Sequence, residues 1–106
     1  MLGAIFPGQG VQSVGMGKDF IDNFKIAKTT LEEADDILQY RLSKLIQEGP
    51  SNELNITNHA QPAIFTVSVA IAKVAAQECG LKDFELLAGH SLGEYTALWA
   101  SNSLDF

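Results

Sequence analysis

The sequence predicts an α/β fold with a parallel sheet, and three observations carry that prediction. Residues 2–6 and 84–88 are short apolar runs, and each is followed by a glycine-rich turn. Because these runs are largely apolar rather than alternating, we interpret them as buried strands of a parallel sheet. Between them, Thr57–Cys79 carries apolar residues at helical spacing and is closed by Gly80. This long helix is expected to lie buried against the sheet.

Composition narrows the class of protein. The chain has 106 residues, enough for one small domain, and 46% of them are hydrophobic, as in globular proteins. The net charge of −6 with only 7 Lys and Arg argues against binding to nucleic acid or to an anionic membrane. The single cysteine, Cys79, excludes an internal disulfide framework and a cysteine-based metal cage. We therefore expect no metal, no membrane span and a reducing, cytoplasmic location.

The helical stretches before residue 57 can be predicted in outline. Residues 19–23 suit one helical turn, residues 42–46 a short helix closed by Gly49-Pro50, and Ser51–Leu54 a further turn. Thr30 and Glu33 match a capping box, although the helix they belong to could begin earlier, at Phe24 or Ile26. The acidic residues at positions 32, 33, 35 and 36 are expected to form a solvated face.

The most informative motif is Gly-x-Ser-x-Gly at residues 89–93. It follows the second apolar run and precedes a helical pattern, which is the context of a nucleophile elbow. In that turn the hydroxyl of Ser91 would be presented outward. The amide of Leu92 would lie at a helix N-terminus, where negative charge is favoured. The motif alone is also compatible with a simple Gly/Ser turn between two elements.

A second glycine-rich turn, residues 7–10, follows the first apolar run. A loop in this position lies at the carboxyl edge of a parallel sheet, where open α/β sheets bind ligands. It lacks the Gly-Lys-Ser/Thr ending of a phosphate loop, and Ser13 stands where a dinucleotide fingerprint needs glycine. On its own chemistry the turn is more typical of an ordinary strand end.

A serine nucleophile needs a base, and the chain contains two histidines, His59 and His90. His90 directly precedes Ser91, so its ring is expected to point away from the hydroxyl and to pack or hydrogen-bond under the elbow. His59 opens the long helix, where a structural role is favoured over a role in the site. In elbow enzymes the histidine usually follows the serine, and none follows Ser91 here.

Four stretches in the same order resemble a known family. They are Phe-Pro-Gly-Gln-Gly-x-Gln at residues 6–12, Thr-x-x-Ala-Gln-Pro-Ala at 57–63, Gly-His-Ser-Leu-Gly-Glu-Tyr at 89–95 and Leu-Asp-Phe at 104–106. Together they closely resemble the malonyl-CoA:acyl-carrier-protein transacylases of bacterial fatty-acid synthesis, and the acyltransferase domains of polyketide synthases are similar. The resemblance covers the whole chain.

The resemblance implies an α/β-hydrolase-like acyltransferase core and a malonyl transfer in two steps. Ser91 would take the malonyl group from malonyl-CoA as an ester, and the phosphopantetheine thiol of acyl carrier protein would then accept it. Gln9 and Leu92 would bind the oxyanion through their backbone amides, which gives the turn at residues 7–10 a purpose. Gln61 matches a glutamine near the pocket, and His90 belongs to the elbow motif. Malonyl-CoA is a substrate, and no cofactor is implied.

The family's catalytic histidine, its malonate-binding arginine and its ferredoxin-like subdomain have no counterpart in these residues. We therefore expect residues 1–106 to be the N-terminal part of the acyltransferase α/β domain, ending after the elbow helix. Two alternatives remain. One is a serine hydrolase or thioesterase with the same elbow, and the other is an inactive fragment that needs a complementing chain.

Overall fold

The structure, a computed structural model, describes residues 3–8, 10, 12–80, 86–89, 93–100 and 106. Most of the described residues are helical, and the two strands lie near the two ends of the chain. In chain order the elements are β1 Gly3–Phe6, α1 Lys18–Asn23, α2 Lys25–Leu38, α3 Leu42–Glu48, α4 Ser51–Leu54, α5 Thr57–Cys79, β2 Leu86–Gly89 and α6 Gly93–Ala100.

The two strands pair in parallel, as the sequence predicts. Their register joins Gly3 to Leu86 and Phe6 to Gly89, so both strands end at the same level of the sheet. Helix α6 packs on both strands and on α5. We call the carboxyl ends of β1 and β2, together with the start of α6, the sheet edge. The segments that follow the two strands leave the sheet from this one edge.

The five helices α1 to α5 form what we call the helical layer. Its core is built from small and branched apolar side chains at i, i+3, i+4 and i+7 spacings, which place them on one face of each helix. The buried members are Ala27, Leu31, Ala34, Leu42, Leu45, Ile46, Leu54, Ala63, Val67, Ala70 and Val74.

Helix α5 occupies the position that the sequence predicts, from Thr57 to Cys79, and Gly80 ends it in the left-handed region at φ 70°. Its packing partners differ from the prediction that this helix lies against the sheet. Among the described elements its most extensive packing is against α2, with α6 next, rather than against a strand. The small side chains of Ala63 and Ala70 allow this close approach between helices. The ring of Phe106 stacks on Phe65 of α5 at 5.6 Å between centroids.

The capping-box prediction at Thr30 is wrong, whereas the earlier start is confirmed. Helix α2 begins at Lys25, after Phe24 in an extended conformation. Thr30 is 1% exposed and lies on the same face as Ala27, Leu31 and Ala34. Its hydroxyl donates 2.8 Å to the carbonyl oxygen of Ile26 one turn back. A threonine on the buried stripe of a helix can thus satisfy its hydroxyl internally and need not mark a helix start.

The acidic face of α2 also needs a correction. Glu32, Glu33 and Asp36 are exposed as predicted, but the side chain of Asp35 is only 12% exposed. Its carboxylate accepts hydrogen bonds from the backbone N–H of Ser43 at 2.8 Å and from the Ser43 hydroxyl at 2.5 Å. Asp35 therefore caps the first turn of α3 from a neighbouring helix.

The predicted helices at α1, α3 and α4 are all present, and Gly49 ends α3 as expected. Among the described residues, no helix combines the length and the apolarity that a bilayer crossing requires.

Candidate active site

The sheet edge brings the two glycine-rich motifs side by side. Phe6 and Gly89 are register partners, so the segments after them start from neighbouring points. Gln9, His90, Ser91 and Leu92, which the sequence predicts as site residues, lie outside the described residues. Their flanks, residues 7, 8 and 10 on one side and 89 and 93 on the other, are described.

Gly93 shows how closely the two motifs approach each other. A Cβ added to Gly93 would collide with the carbonyl oxygen of Phe6, and it would lie 2.8 Å from the Phe6 carbonyl carbon and 2.9 Å from the Pro7 carbonyl oxygen. These are backbone atoms of the last residue of β1 and of the residue after it, and they cannot rotate away as a side chain can. The second glycine of Gly-x-Ser-x-Gly is therefore required by the chain that leads into Gln9.

Helix α6 begins at Gly93, directly against the end of β1. Its first backbone N–H groups have no partner within the helix, and the aligned peptide dipoles add partial positive charge there. Such a terminus suits a developing negative charge in the space next to it. Thr96, one turn further on, is fully buried.

The turn after β1 is held by hydrogen bonds that the sequence analysis did not foresee. The backbone N–H of Gly10 donates to Gln12 Oε1 at 2.8 Å, and Gln12 Nε2 donates to Asn55 Oδ1 at 3.1 Å. Gln12 and Asn55 are 43 residues apart in the chain. A spacing of that size carries no local signal, so only the folded arrangement could reveal the pair.

His59 has the structural role that the sequence favours. Its Nδ1 lies 2.9 Å from the carbonyl oxygen of Glu53, and because a carbonyl can only accept, Nδ1 carries the hydrogen. Its ring lies 5.6 Å from the ring of Tyr40. Burial raises the pKa of Tyr40 above its ordinary value of 10.0, and the negative charge of Asp35 adds to the effect. This cluster belongs to the helical layer.

Gln61 lies on the exposed side of α5, directly before Pro62. Helix α5 contacts α6, which follows the serine motif, so Gln61 and the motif stand on neighbouring elements. Within the described part of the chain, no three His, Cys, Asp or Glu side chains come together closely enough to hold a metal ion.

Comparison with known proteins identifies the class. The acyl transferase domain family matches residues 4–105, which is nearly the whole sequence. The chain therefore belongs to the acyl transferase domain family.

The names of similar proteins are more specific than the description of the family. A malonyl CoA-acyl carrier protein transacylase of Bacillus subtilis is 50% identical over 105 residues, which are 99% of this chain and 26% of that protein. A solved acyl carrier protein S-malonyltransferase of Vibrio cholerae has a TM-score of 0.89 at 46% identity, covering 95% of this chain and 33% of that one.

A third similarity is to a solved complex of a type II polyketide-synthase acyl-carrier protein with its malonyl-transacylase. Its TM-score is 0.87 at 48% identity, over 93% of this chain and 32% of that one. These similarities confirm the α/β class and the resemblance to malonyl-CoA:acyl-carrier-protein transacylases. The chain spans only about a quarter to a third of the length of these relatives.

Proposed function

We propose that this chain supplies the nucleophile and the oxyanion site of an acyltransferase that moves a malonyl group from malonyl-CoA to acyl carrier protein. The observation that carries the proposal is the contact of Gly93 with the backbone of Phe6 and Pro7. That contact joins the serine motif to the Pro-Gly-Gln-Gly turn, the two stretches on which such a reaction would depend.

In the first half of the reaction, the Ser91 oxygen attacks the thioester carbonyl carbon of malonyl-CoA and gives its proton to a base. The carbonyl oxygen becomes an oxyanion, which the backbone amides of Gln9 and Leu92 bind. The carbon–sulfur bond then breaks, and coenzyme A leaves as its thiol with that proton. A malonyl ester on Ser91 remains.

In the second half, the phosphopantetheine thiol of acyl carrier protein attacks the ester, and Ser91 recovers its proton as the new thioester forms. The reaction as written exchanges one thioester for another: it consumes the carrier-protein thiol, releases the coenzyme A thiol and needs no cofactor. We assign the base to neither histidine of this chain. His59 is engaged with Glu53 and Tyr40, and His90 directly precedes Ser91, so its ring is expected to point away from the hydroxyl. Gln61 is proposed to line the substrate pocket, and His90 to support the elbow.

The relatives' names support the malonyl group and the carrier protein as substrate and partner. We propose accordingly that residues 1–106 are the N-terminal part of an α/β-hydrolase-like acyltransferase domain acting in the cytoplasm. The histidine base and the carboxylate-binding arginine are then expected outside these residues.

Trapping the acyl-enzyme tests the proposal. The protein at its natural length is incubated with malonyl-CoA, quenched and digested, and the peptide that contains Ser91 is examined by mass spectrometry. We expect a malonyl ester on Ser91 that disappears when acyl carrier protein is added. Ser91→Ala should abolish it, whereas the matched control Ser68→Ala, on α5, should not.

Other outcomes would contradict the proposal. Release of free malonate at the same rate with and without carrier protein would favour the hydrolase alternative. A malonyl ester on another residue would remove Ser91 from the role of nucleophile. The 106-residue chain by itself is expected to remain unmodified, and its acylation would refute the assignment of the base to other residues.

A further inference from the structure

We propose that Gln12 is a positioning residue that holds the oxyanion turn in place and is itself fixed by Asn55. This inference rests on the proposed function, since it concerns the turn that carries Gln9. Gln12 would touch neither the substrate nor the reacting atoms. It would act through Gly10, the residue directly after Gln9.

The hydrogen-bond polarity of the Gln12 side chain is fully determined. The backbone N–H of Gly10 can only donate, so the group that faces it at 2.8 Å must be Gln12 Oε1. The amide nitrogen of Gln12 then faces Asn55, and Asn55 must present Oδ1 to accept at 3.1 Å. One side chain thus bridges a main-chain amide of the turn and the C-terminal end of α4.

Two further contacts tie the same segment to the same part of the helical layer. The backbone N–H of Gly15 donates 2.6 Å to the carbonyl oxygen of Ile46 in α3. Val14 lies against Gly49, where an added Cβ would come within 3.1 Å of Val14 Cγ2. The end of α3 and the end of α4 therefore support Gly10 and residues 12–15.

Gly10 needs such support because its backbone is unusual. Its φ of +114° lies in a region that glycine adopts freely, and an added Cβ there would meet nothing within 4 Å. Packing therefore does not hold this residue, and the hydrogen bond to Gln12 is the contact that the structure gives its N–H. A small displacement of an oxyanion donor is costly to catalysis, by up to about a hundredfold per ångström.

The test uses reversal of polarity in the protein at its natural length. Gln12→Glu keeps an acceptor for Gly10, and Asn55 can rotate its amide to donate to the second carboxylate oxygen. Asn55→Asp keeps an acceptor for Gln12 Nε2. We expect each single variant to form malonyl-Ser91 within about threefold of the wild-type rate, because each retains the bridge. The double variant Gln12→Glu/Asn55→Asp places two carboxylates face to face, and its rate should fall about tenfold or more.

The rate is the single-turnover rate of malonyl-Ser91 formation, and the affinity for malonyl-CoA is measured beside it. A positioning role predicts a slower rate at unchanged affinity and an unchanged melting temperature. Gln12→Ala should lose about tenfold, and Gln12→Ala/Asn55→Ala no more than that, since both remove the same bridge. The charge control Gln12→Glu/Asn52→Asp, with the exposed Asn52 of α4, should behave as the product of its single variants.

Three results would overturn the inference: a Gln12→Ala variant with the wild-type rate, independent effects of positions 12 and 55, or losses that follow the melting temperature. None of these affects the proposed function, which requires that the wild type forms malonyl-Ser91 and passes the malonyl group to acyl carrier protein. Conversely, absence of malonyl-Ser91 in the wild type would refute the proposed function before any variant is compared.

Discussion

The helical layer and the sheet edge are built on different principles. In the helical layer, side chains make the contacts, and residues such as Leu42 and Ile46 are completely buried. At the sheet edge, backbone packs on backbone, because Gly93 leaves no room for a side chain above Phe6 and Pro7. In β1, Ile5 is 84% exposed within these residues, whereas Phe6 at the edge itself is buried.

This difference separates stability from chemistry. Apolar burial is tolerant of exchange among side chains of similar volume, whereas a backbone-to-backbone contact admits one residue type. The helical layer is therefore expected to decide how stable the chain is, and the sheet edge to decide where its reactive groups lie. Four substitutions test this division, in order of decreasing expected effect.

Gly93→Ala should have the largest effect. The added methyl group meets the backbone of Phe6 and Pro7, so α6 and β1 must separate. We expect the rate of Ser91 acylation to fall by about a hundredfold or more. Amide hydrogen exchange should accelerate in β1 and α6 while α2 and α5 keep their protection.

Gly80→Ala is the matched control. Gly80 also resists a side chain, through its φ of +70°, but a Cβ there meets nothing within 4 Å. It should cost about 1–2 kcal/mol of stability and leave the acylation rate unchanged. If both glycine variants had the same acylation rate, the sheet edge would not depend on the contact at Gly93.

Leu42→Ala should lower the stability of the chain without changing the acylation rate. Leu42 is 0% exposed in the core of the helical layer, and removing its side chain leaves a cavity. The free energy of unfolding, measured by denaturant titration, should fall by about 3 kcal/mol. At a temperature where the variant is folded, its acylation rate should equal that of the wild type. A large loss of rate in the folded variant would show that the two regions are not separable.

Asp35→Ala should have a smaller effect within the helical layer. It removes the acceptor for both groups of Ser43, so the first turn of α3 loses its cap. We expect a loss of about 1–2 kcal/mol of stability. The ion pair with Arg41 adds little, because the Arg41 side chain is 75% exposed. The exposed neighbour Asp36→Ala should stay within about 0.5 kcal/mol, and equal losses for both would contradict a capping role.

Tyr40→Phe should have the smallest effect on stability, and this effect should appear only at high pH. Burial raises the pKa of Tyr40 above 10.0, so the folded protein holds the phenol proton more tightly than the unfolded chain does. Stability is then fully present below pH 10 and falls as the pH rises through the folded pKa. Tyr40→Phe should lack this part of the decline. The same slope of stability against pH in both proteins would contradict it.

The sequence predicts elements better than it predicts contacts between them. The bounds of α5 and the short helices α3 and α4 follow from apolar spacing and from Gly49 and Gly80, which act locally. The capping-box prediction at Thr30 is wrong because a capping threonine and a buried threonine have the same local sequence pattern. Only the core around α2 distinguishes them. Asp35 was interpreted as solvated because its partner Ser43 lies on another helix.

The candidate site shows the same limit. The Gly-x-Ser-x-Gly motif is visible in the sequence, but the reason for Gly93 lies in Phe6 and Pro7, more than eighty residues earlier. The pairing of Gln12 with Asn55 depends on α4 returning to the turn after β1. Pairings of this kind arise from the register of the strands and the packing of the helices, and no local pattern encodes them.

The most direct measurement is an experimental structure of the natural-length protein trapped as its malonyl-Ser91 ester. We expect the ester carbonyl oxygen to lie about 2.7–3.1 Å from the backbone nitrogens of both Gln9 and Leu92, above the contact of Gly93 with Phe6. An ester oxygen that meets only one of these nitrogens, or amides of residues 9 and 92 on opposite sides of the sheet, would contradict it.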